Sequence, residues 1–510
     1  MKKLFTLILL SGVCGGIATA QEVNLDGITY YINQQQEYAS ITGCDNSVTG
    51  EVIIPATVEY NGTQYPVKQL DGYAFWYSKC TSITFPENFE TVKSNAIYGC
   101  EEITSLKFPS TLKTIESKAV QYCDKLDAIN LPSTIENIAP GAFFSNIGIS
   151  AFNIDGEGGT YTSEDGVIYT DGGSTLYMYP SGKIIDSSTY TIPENITKIA
   201  DYAFNFAKVI NVELPSALTE IGAFAFYDCD FIPYIEIPAS VSKIGNAVFS
   251  ECGILEEIYV DSDNQYFSDK DGILMSKDGT TLMCYPLGLG NTTYTIPEGV
   301  DTIQAYAFEH NETLTQVNFP KTLEYIGDYA FQWSTYLQKL NFNRTQLKGL
   351  GLCVFTNCSS LDEISFPPTM ESIGLGSFWD IMPSTINCWA VNPPAAGGAF
   401  SDYSANLFVQ LGSGMAYEMD SEWGQFNIQE KKYESISDTK NEMNAFFDGK
   451  RIIFNTTGSK DIFVFNAEGK QMFNDTTTAD YFDLPNLPAG VYVIRIISGN
   501  DMSKTMKINI

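Results

Sequence analysis

Apolar and polar residues alternate in short runs along most of the chain, and these runs return at a fixed distance. In AINLP at 128–132, Ile129 and Leu131 fall on one side of a predicted strand, which ends at a proline that cannot donate a ladder hydrogen bond. FPSTLKTI at 108–115 returns 23 residues later as LPSTIENI at 131–138. A period of this length predicts a β-solenoid, in which each short unit buries its apolar face by stacking on its neighbours.

Each repeat also carries a small residue followed by a large apolar one, most often Ala-Phe, in the turn after the second short strand. Alanine allows close approach of the backbone, and we expect the phenylalanine to fill the interior of the coil. Eleven such sites fall into three blocks: 74–75, 96–97, 119–120 and 142–143; 203–204, 225–226 and 247–249; 307–308, 330–331, 354–355 and 377–378. The sites at 97 and 120 hold Ile and Val instead of Phe, which predicts weaker local packing.

Two insertions, at about 155–190 and 260–295, separate the blocks and resemble each other. Each contains alternating runs joined by an Asp-Gly turn, at 165–166 and 271–272, which predicts two inserted β-hairpins that project from the solenoid. Their tips, near 171–173 and 277–279, are a candidate contact region together with the nearby tyrosines, Tyr177, Tyr179 and Tyr285.

The segments on both sides of the repeats predict caps and a separate C-terminal domain. The first 20 residues have a basic start, an apolar run and a small-residue end, which predicts a signal peptide. The remaining boundaries are an N-terminal β cap at 21–66, the solenoid at 67–390, its C-terminal cap at 391–430, a polar linker at 431–440 and a small β-sandwich at 441–510. The fold class is therefore mainly β.

The chain has 11 cysteines, a number that in an exported protein usually indicates disulfides. Six of them occupy one repeat position, at Cys80, Cys100, Cys123, Cys229, Cys252 and Cys358. Asn311 and Ser334 hold the same position in other copies. A position shared by Cys, Asn and Ser predicts a small buried side chain that hydrogen bonds to the turn backbone, and thus a ladder of free thiols.

Charge and hydropathy restrict the classes of partner. The formal net charge of −32 predicts repulsion from nucleic acid and from anionic membrane surfaces, so we expect no nucleic-acid partner. After the signal peptide, no run is long and apolar enough to predict a transmembrane helix. We expect a monomer.

Few residues of the sequence are suited to a catalytic role. A Ser-His-Asp or Cys-His arrangement would have to use His310, which the repeat pattern already explains as a polar turn residue. One histidine and the lack of Cys-x-x-Cys spacings argue against a zinc site. The acidic stretch from Asp261 to Asp271 lacks the final carboxylate of a calcium loop, which leaves an irregular calcium site as the alternative to turn chemistry. We predict no catalytic, cofactor or metal residues, with a secreted hydrolase as an alternative.

The outward positions of the predicted strands vary in type while the inward positions stay apolar. Repeat proteins commonly present such a face to a macromolecule. The candidate ligand face consists of Thr84, Lys107, Asn130, Glu213, Tyr234, Glu236, Asn318, Asn341 and Ser365. A solvated face without a ligand is the alternative interpretation.

Together these features resemble the BspA-like leucine-rich repeat family of bacterial surface proteins of Bacteroidetes type, over roughly residues 25–430. VFNAEGK at 464–470 and LPAGVYVIR at 487–495 resemble the C-terminal sorting domain of type IX secretion. The resemblance implies a leucine-rich-repeat solenoid that is exported and is either extracellular or associated with the cell surface or outer membrane. It also implies binding to an extracellular protein or glycan, in adhesion to host matrix or other cells. A surface scaffold without a dedicated ligand is the alternative.

Overall fold

The computed structural model describes residues 21–156, 158–184, 189–433, 445–447, 451–454, 459–467, 470–479, 481–485, 487–498 and 502–509. The predicted signal peptide, residues 1–20, and most of the predicted linker, residues 434–440, lie outside the described residues. The chain divides into two compact units, Met1–Lys431 and Lys432–Ile510.

The first unit is a β-solenoid, as the 23-residue period predicts. Its coils place short strands in register, so that parallel sheets run along the stack. We distinguish a first block (residues 22–155), a second block (162–260) and a third block (267–431).

The first block contains three sheets. The largest holds Glu22–Leu25, Ile28–Asn33, Tyr38–Cys44, Thr57–Tyr60, Thr63–Leu70, Thr91–Val92, Thr114–Ile115 and Asn137–Ile138. The outward strand face is formed by Thr49–Ile53, Lys79–Thr84, Ser105–Lys107, Ala128–Pro132 and Ala151–Asp155. A short third sheet holds Phe75–Trp76, Ile97–Tyr98 and Val120–Gln121.

The second and third blocks repeat this plan. In the second block, one sheet holds Thr162–Glu164, Val167–Thr170, Thr175–Met178, Lys198–Ile199, Glu220–Ile221 and Lys243–Ile244, and the strand face holds Thr189–Thr191, Asn211–Glu213, Tyr234–Ile237 and Glu257–Val260. In the third block, one sheet holds Phe267–Lys270, Ile273–Ser276, Thr281–Cys284, Thr302–Ile303, Tyr325–Ile326, Gly349–Leu350 and Ser372–Ile373. Its strand face holds Thr293–Thr295, Gln316–Asn318, Lys339–Asn341, Glu363–Phe366, Thr385–Cys388, Asn406–Gln410 and Asn427–Lys431. The helical segments are the α-helix Gly414–Glu418 and the 3-10 turns Asp171–Gly173, Leu287–Leu289 and Trp423–Gln425.

The two insertions form hairpins with the predicted Asp-Gly turns, but they do not project from the solenoid. The last strand of each joins the stack: Thr175–Met178 pairs in parallel with Lys198–Ile199, and Thr281–Cys284 with Thr302–Ile303. Tyr179 and Tyr285 are each 1% exposed. The prediction that they belong to a contact region is therefore wrong, because both rings fill the interior position that Phe occupies in the regular coils.

Stacked aromatic rings form the core of the second and third blocks. In the third block the rings of Tyr285, Phe308, Phe331, Phe355, Phe378 and Phe400 follow one another at centroid distances of 4.6–5.5 Å and interplanar angles of 7–24°. Tyr179 begins the same arrangement in the second block, at 4.9 Å from Phe204. In the first block, Ile97 and Val120 interrupt the ladder, as the sequence predicts.

The turn that contains each inward Phe, Ile or Val has a backbone feature that the sequence does not reveal. In all eleven coils, two residues four apart have a positive φ, for example Tyr73 at 60° and Tyr77 at 51°, or Tyr306 at 65° and His310 at 56°. Most are not glycine, and each carries a penalty of roughly 1 kcal/mol. Hydrogen bonds between coils hold the conformation: Tyr73 N donates to Asn95 O at 2.8 Å, and the pattern continues along the stack.

At the shared Cys, Asn and Ser position, the side chains of Cys100, Cys229, Cys252, Ser334 and Cys358 donate to a backbone carbonyl of the preceding coil. Cys358 Sγ donates to Phe331 O at 3.1 Å, and Ser334 Oγ donates to Phe308 O at 3.0 Å. The ten cysteines of the described residues are free thiols, and burial raises the pKa of the Cys358 thiol.

We expect Cys358→Ser to change the free energy of unfolding by less than about 1 kcal/mol, because serine makes the same hydrogen bond one coil earlier. Cys358→Val should destabilise the protein by about 1 kcal/mol, since Phe331 O then loses one of its two donors. Urea unfolding followed by tryptophan fluorescence measures both. A serine variant less stable than the valine variant would contradict this role.

The second unit contains two antiparallel sheets. One holds Ala445–Phe447, Arg451–Phe454 and Tyr481–Asp483, and the other holds Lys460–Asn466, Gln471–Thr477, Val491–Ser498 and Met502–Asn509. Inward residues of both sheets, among them Ile452, Val464, Phe482 and Ile494, share one apolar core. This is the small β-sandwich that the strand pattern predicts.

Candidate functional site

The nine residues of the candidate ligand face lie in three groups, one in each block. Thr84, Lys107 and Asn130 are aligned on adjacent strands of the first block. Glu213, Tyr234 and Glu236 lie in the second block, and Asn318, Asn341 and Ser365 in the third. The structure therefore does not assemble them into one site, and the groups have to be considered separately.

In the third block the face is flat and internally bonded. Asn318 Nδ2 donates to Thr295 Oγ1 at 2.9 Å, and Asn318 Oδ1 accepts from Gln316 Nε2 at 2.8 Å. Ser365 is only 5% exposed, and its Oγ accepts a hydrogen bond from Asn387 Nδ2 at 2.9 Å. Including Ser365 in an accessible face was therefore wrong, because the next strand carries a larger side chain that lies against it.

In the first block the face has a hollow of about 350 Å³. Lys107 and Asn130 line it. Lys107 Nζ lies 3.4 Å from Glu51 Oε1, and Asn130 Oδ1 accepts from Asn153 Nδ2 at 2.9 Å. Thr84 Oγ1 is buried without a partner among the described residues. The charges and amides of this hollow thus mostly satisfy each other.

In the second block the sheet itself is interrupted. Thr189–Thr191 pairs with Asn211–Glu213, and Tyr234–Ile237 pairs with Glu257–Val260, but the two pairs are separate two-stranded sheets. In several other coils the residue before the outward strand donates its N–H to the carbonyl one coil earlier, as Thr104 does to Thr81 O at 2.8 Å.

Pro233 holds this position in the coil of Tyr234 and has no N–H to donate. The first hydrogen bond between Asn211–Glu213 and Tyr234–Ile237 therefore cannot form. Because a proline removes a ladder hydrogen bond at this position, it explains why the strands part here. One coil later the contact is restored, since Glu256 N donates to Pro233 O at 2.8 Å.

A groove of about 550 Å³ lies over this interruption. Its lining includes Glu194, Glu213, Glu236, Asp261, Tyr234 and Tyr259, and none of the described lining residues is a lysine, arginine or histidine. We call it the acidic groove. The rings of Tyr234 and Tyr259 are 6.5 Å apart in an edge-to-face arrangement, and both are exposed.

The groove has both satisfied and unsatisfied polar groups. Thr191 Oγ1 donates to Glu213 Oε2 at 2.7 Å, and Ser216 Oγ donates to Glu194 Oε2 at 3.3 Å, so these two carboxylates are held in place. Glu236 has no hydrogen bond or ion pair with the described residues. Asn211 Oδ1 is buried and accepts no hydrogen bond from them. The groove therefore offers acceptors and negative charge to a ligand.

The predicted ligand face includes three residues of the groove, Glu213, Tyr234 and Glu236, and omits Tyr259, Asp261 and Glu194. Tyr259 lies one 23-residue period after Glu236 and directly beside it in register, so the same outward-position rule would have found it. Asp261 and Glu194 lie outside the strands, in turns that the period does not place on a face.

The residues considered for catalysis or metal binding have structural contacts. His310 Nε2 lies 3.4 Å from Glu251 Oε1, and its ring stacks on Trp333 at 5.8 Å; it has no hydrogen bond to a serine or cysteine among the described residues. Asp261 Oδ1 accepts from Asp263 N, and Asp269 Oδ1 from Val260 N, both at 2.9 Å. Within the described residues, no three His, Cys, Asp or Glu side chains are grouped so that they could hold a metal ion.

Comparison with protein families identifies the repeats. The model for the BspA type leucine rich repeat region matches residues 63–165, 183–270 and 288–404, more than half of the chain, in six copies. The chain belongs to the BspA-type leucine-rich repeat family. The acidic groove lies in the middle segment of this BspA-type repeat region, and its residues are individual positions within the common coil.

The end of this BspA-type chain matches a second family, the secretion system C-terminal sorting domain, over residues 447–510. This match and the repeats indicate an exported or surface-associated protein. None of the described helices has the length and apolar character needed to cross a membrane.

Solved structures of similar proteins include other leucine-rich repeat proteins. A leucine rich cell surface protein from Faecalibacterium prausnitzii A2-165 shares 23% identity over 80% of this chain and 100% of its own, with a TM-score of 0.41. A leucine-rich repeat protein from Bacteroides ovatus ATCC 8483 shares 22% identity over 80% of this chain and 100% of its own, with a TM-score of 0.34. The pneumococcal vaccine antigen PcpA shares 17% identity over 81% of this chain and 99% of its own, with a TM-score of 0.35. No curated protein matches the chain.

Proposed function

We propose that this protein is a cell-surface binding protein whose acidic groove takes up a basic segment, rich in lysine or arginine, of an extracellular protein. The single observation that carries the proposal is the groove itself: four carboxylates around about 550 Å³, with no cation in the lining. A cationic side chain in such a concave site gains attraction from several carboxylates at once.

The tyrosines support a protein ligand. Tyr234 and Tyr259 are exposed beside the carboxylates, and a lysine or arginine over a tyrosine face adds a cation–π interaction. Tyrosine is also enriched among the residues that contribute most to protein–protein binding.

The place of the groove is consistent with adhesion. An exported chain with a sorting domain would present its repeats outside the cell, where basic segments of matrix proteins or of other cells are accessible. A scaffold or spacer without a ligand is the second candidate, favoured by the internally bonded face of the third block.

The test uses the secreted full-length chain and an array of short peptides, each present with lysine and with acetyl-lysine. We expect a subset of lysine peptides to bind and their acetylated partners not to bind. Glu213→Gln combined with Glu236→Gln should weaken binding by on the order of tenfold or more, because two charge contacts are lost.

The control is Glu136→Gln combined with Glu312→Gln, two exposed acids outside the groove with the same change in net charge. It should leave affinity nearly unchanged. An equal loss in both double variants would show non-specific attraction to an acidic protein and overturn the proposal. If no peptide binds better than its acetylated partner, the spacer function is favoured.

A further inference from the structure

A second surface, independent of the acidic groove, lies on the turns of the first block. Five aromatic side chains contact one another there: Tyr73, Trp76, Tyr77, Tyr98 and Tyr122. Tyr73, Trp76, Tyr77 and Tyr122 are 43–57% exposed, and Tyr98 is partly buried between its neighbours. We call this surface the aromatic edge. Contiguous exposed apolar surface of this kind commonly marks an interaction site.

The fold does not require a tyrosine at these turn positions. Tyr73, Tyr77 and Tyr122 have φ values of 60°, 51° and 54°, a region in which glycine is less strained than tyrosine. Gly99 holds the position equivalent to Tyr77 one coil later, so the fold accepts glycine there. A Cβ on Gly99 would lie 2.5 Å from the Tyr77 ring, so the absence of a side chain makes room for this tyrosine.

The ring of Tyr98 lies between two exposed rings on neighbouring coils. Tyr98 makes edge-on contacts with Tyr77 at 5.7 Å and with Tyr122 at 5.1 Å, and so lies between them. Tyr77 and Tyr122 lie two coils apart, and two coils of stacked strands span about 9.6 Å. One turn of a polyproline II helix, three residues at about 3.1 Å each, spans about 9.3 Å.

Polar and charged groups of the edge fit the same ligand. Tyr73 Oη, Trp76 Nε1 and Tyr122 Oη form no hydrogen bond within the described residues, so they can donate to a ligand. A polyproline segment presents carbonyl acceptors and no N–H groups.

The charges around the aromatic edge nearly cancel. The turns at 71–79, 93–102 and 116–125 carry four lysines and five acids. Two of their ion pairs, Lys93–Glu116 and Lys125–Glu102, have nitrogen–oxygen distances of 2.8 Å. A nearly neutral surface on a chain of charge −32 favours a neutral ligand.

We propose that the aromatic edge binds a neutral, proline-rich peptide segment in the polyproline II conformation, with Tyr77 and Tyr122 each packing against one turn of the ligand. Aromatic-lined clefts recognise such segments because the ligand is already ordered before binding.

Fluorescence anisotropy of the full chain with a labelled ten-residue peptide of Pro-Pro-Ala repeats tests this proposal. We expect saturable binding, and no binding of a peptide with glycine in place of every proline. Tyr77→Gly combined with Tyr122→Gly should weaken binding by on the order of tenfold. Because glycine suits the positive φ, the double variant should keep a thermal unfolding midpoint close to that of the native chain.

Tyr306→Gly combined with Tyr329→Gly, the same change at positive-φ tyrosines of the third block, is the matched control and should bind as the native chain does. Lack of saturable peptide binding, or equal losses in both double variants, would overturn the proposal. A third outcome is that neutral oligosaccharides bind, and that Tyr77→Gly combined with Tyr122→Gly abolishes oligosaccharide binding but not peptide binding. The aromatic edge would then be a glycan site, and the proposal of a proline-rich ligand would be wrong. None of these outcomes depends on the acidic groove.

Discussion

Phe331→Ala should destabilise the first unit by about 3–5 kcal/mol, the typical loss for a large buried aromatic side chain. Phe331 is buried between the rings of Phe308 and Phe355. The distance between ring centroids is 4.6 Å to Phe308 and 5.2 Å to Phe355, and the interplanar angles are 7° and 16°. Backbone hydrogen bonds fix the spacing of the coils, for example Phe331 N to Val354 O at 2.9 Å. The neighbouring rings therefore cannot close the cavity, and the loss should lie near the upper end of this range.

Tryptophan fluorescence during urea unfolding measures this loss, since four of the five tryptophans lie in the third block, at Trp333, Trp379, Trp389 and Trp423. Tyr336→Ala, at a ring that is 55% exposed in the same coil, should change stability by less than about 0.5 kcal/mol. The loss of stability for Phe331→Leu should lie between those of Phe331→Ala and Tyr336→Ala, because Ile97 and Val120 show that an aliphatic side chain fits this position. Equal effects of the two alanine variants would contradict the role of the ring ladder.

The sequence predicts this ladder because every coil must bury an apolar side chain at the same interior position. A position that is always apolar, or always small and polar, can be found from the period alone, as with Phe331 and Cys358. The period also predicts which face of each strand is outward, and thus the location of Glu213, Tyr234 and Glu236.

Features that break the period could not be predicted in the same way. The acidic groove depends on a single residue, Pro233. The effect of its missing N–H becomes evident only when the structure shows which carbonyl of the preceding coil would have accepted the hydrogen bond. The hairpins were expected to project because alternation alone does not show that Thr175–Met178 lies in register with Lys198–Ile199. Tyr179 and Tyr285 were misplaced for the same reason.

The two proposed binding surfaces share a physical logic. In a regular coil the backbone groups are satisfied by the adjacent coils, and the strand face of the third block also bonds its own side chains. Binding capacity arises where a coil departs from this pattern, by a lost ladder hydrogen bond at Pro233 or by a cluster of exposed rings around Tyr98. Such departures carry a penalty in stability, which the many regular coils offset.

The junction between the second and third blocks should make stability depend on pH through Glu309. This side chain is 8% exposed, and its Oε2 accepts a hydrogen bond from Ser250 Oγ. Burial, and then repulsion from Glu251, raise the pKa of Glu309 from 4.5 to about 7, although the hydrogen bond from Ser250 opposes this. Burial and the nearby acids Asp230 and Glu251 also raise the pKa of Asp228 to about 7.

The sign follows from proton binding. The folded protein holds the proton of Glu309 more tightly than the unfolded chain does, so the free energy of unfolding falls as the pH rises between about 4.5 and 7. Above this window the penalty of the buried charge is complete, on the order of 3 kcal/mol. Glu309→Gln removes the charge and keeps an acceptor for Ser250. It should therefore be more stable than the native chain at pH 8 and nearly equal to it at pH 4.5.

The measurement is the difference in urea unfolding between the native chain and Glu309→Gln at several pH values from 4.5 to 8. Taking this difference cancels most of the effect of ionisable groups that do not interact with Glu309. Glu312→Gln, at an exposed acid of the same turn, is the matched control and should change stability at pH 8 much less than Glu309→Gln does. A constant difference for Glu309→Gln across this range would show that the pKa of Glu309 does not lie between the unfolded value and about 7, and would contradict this prediction.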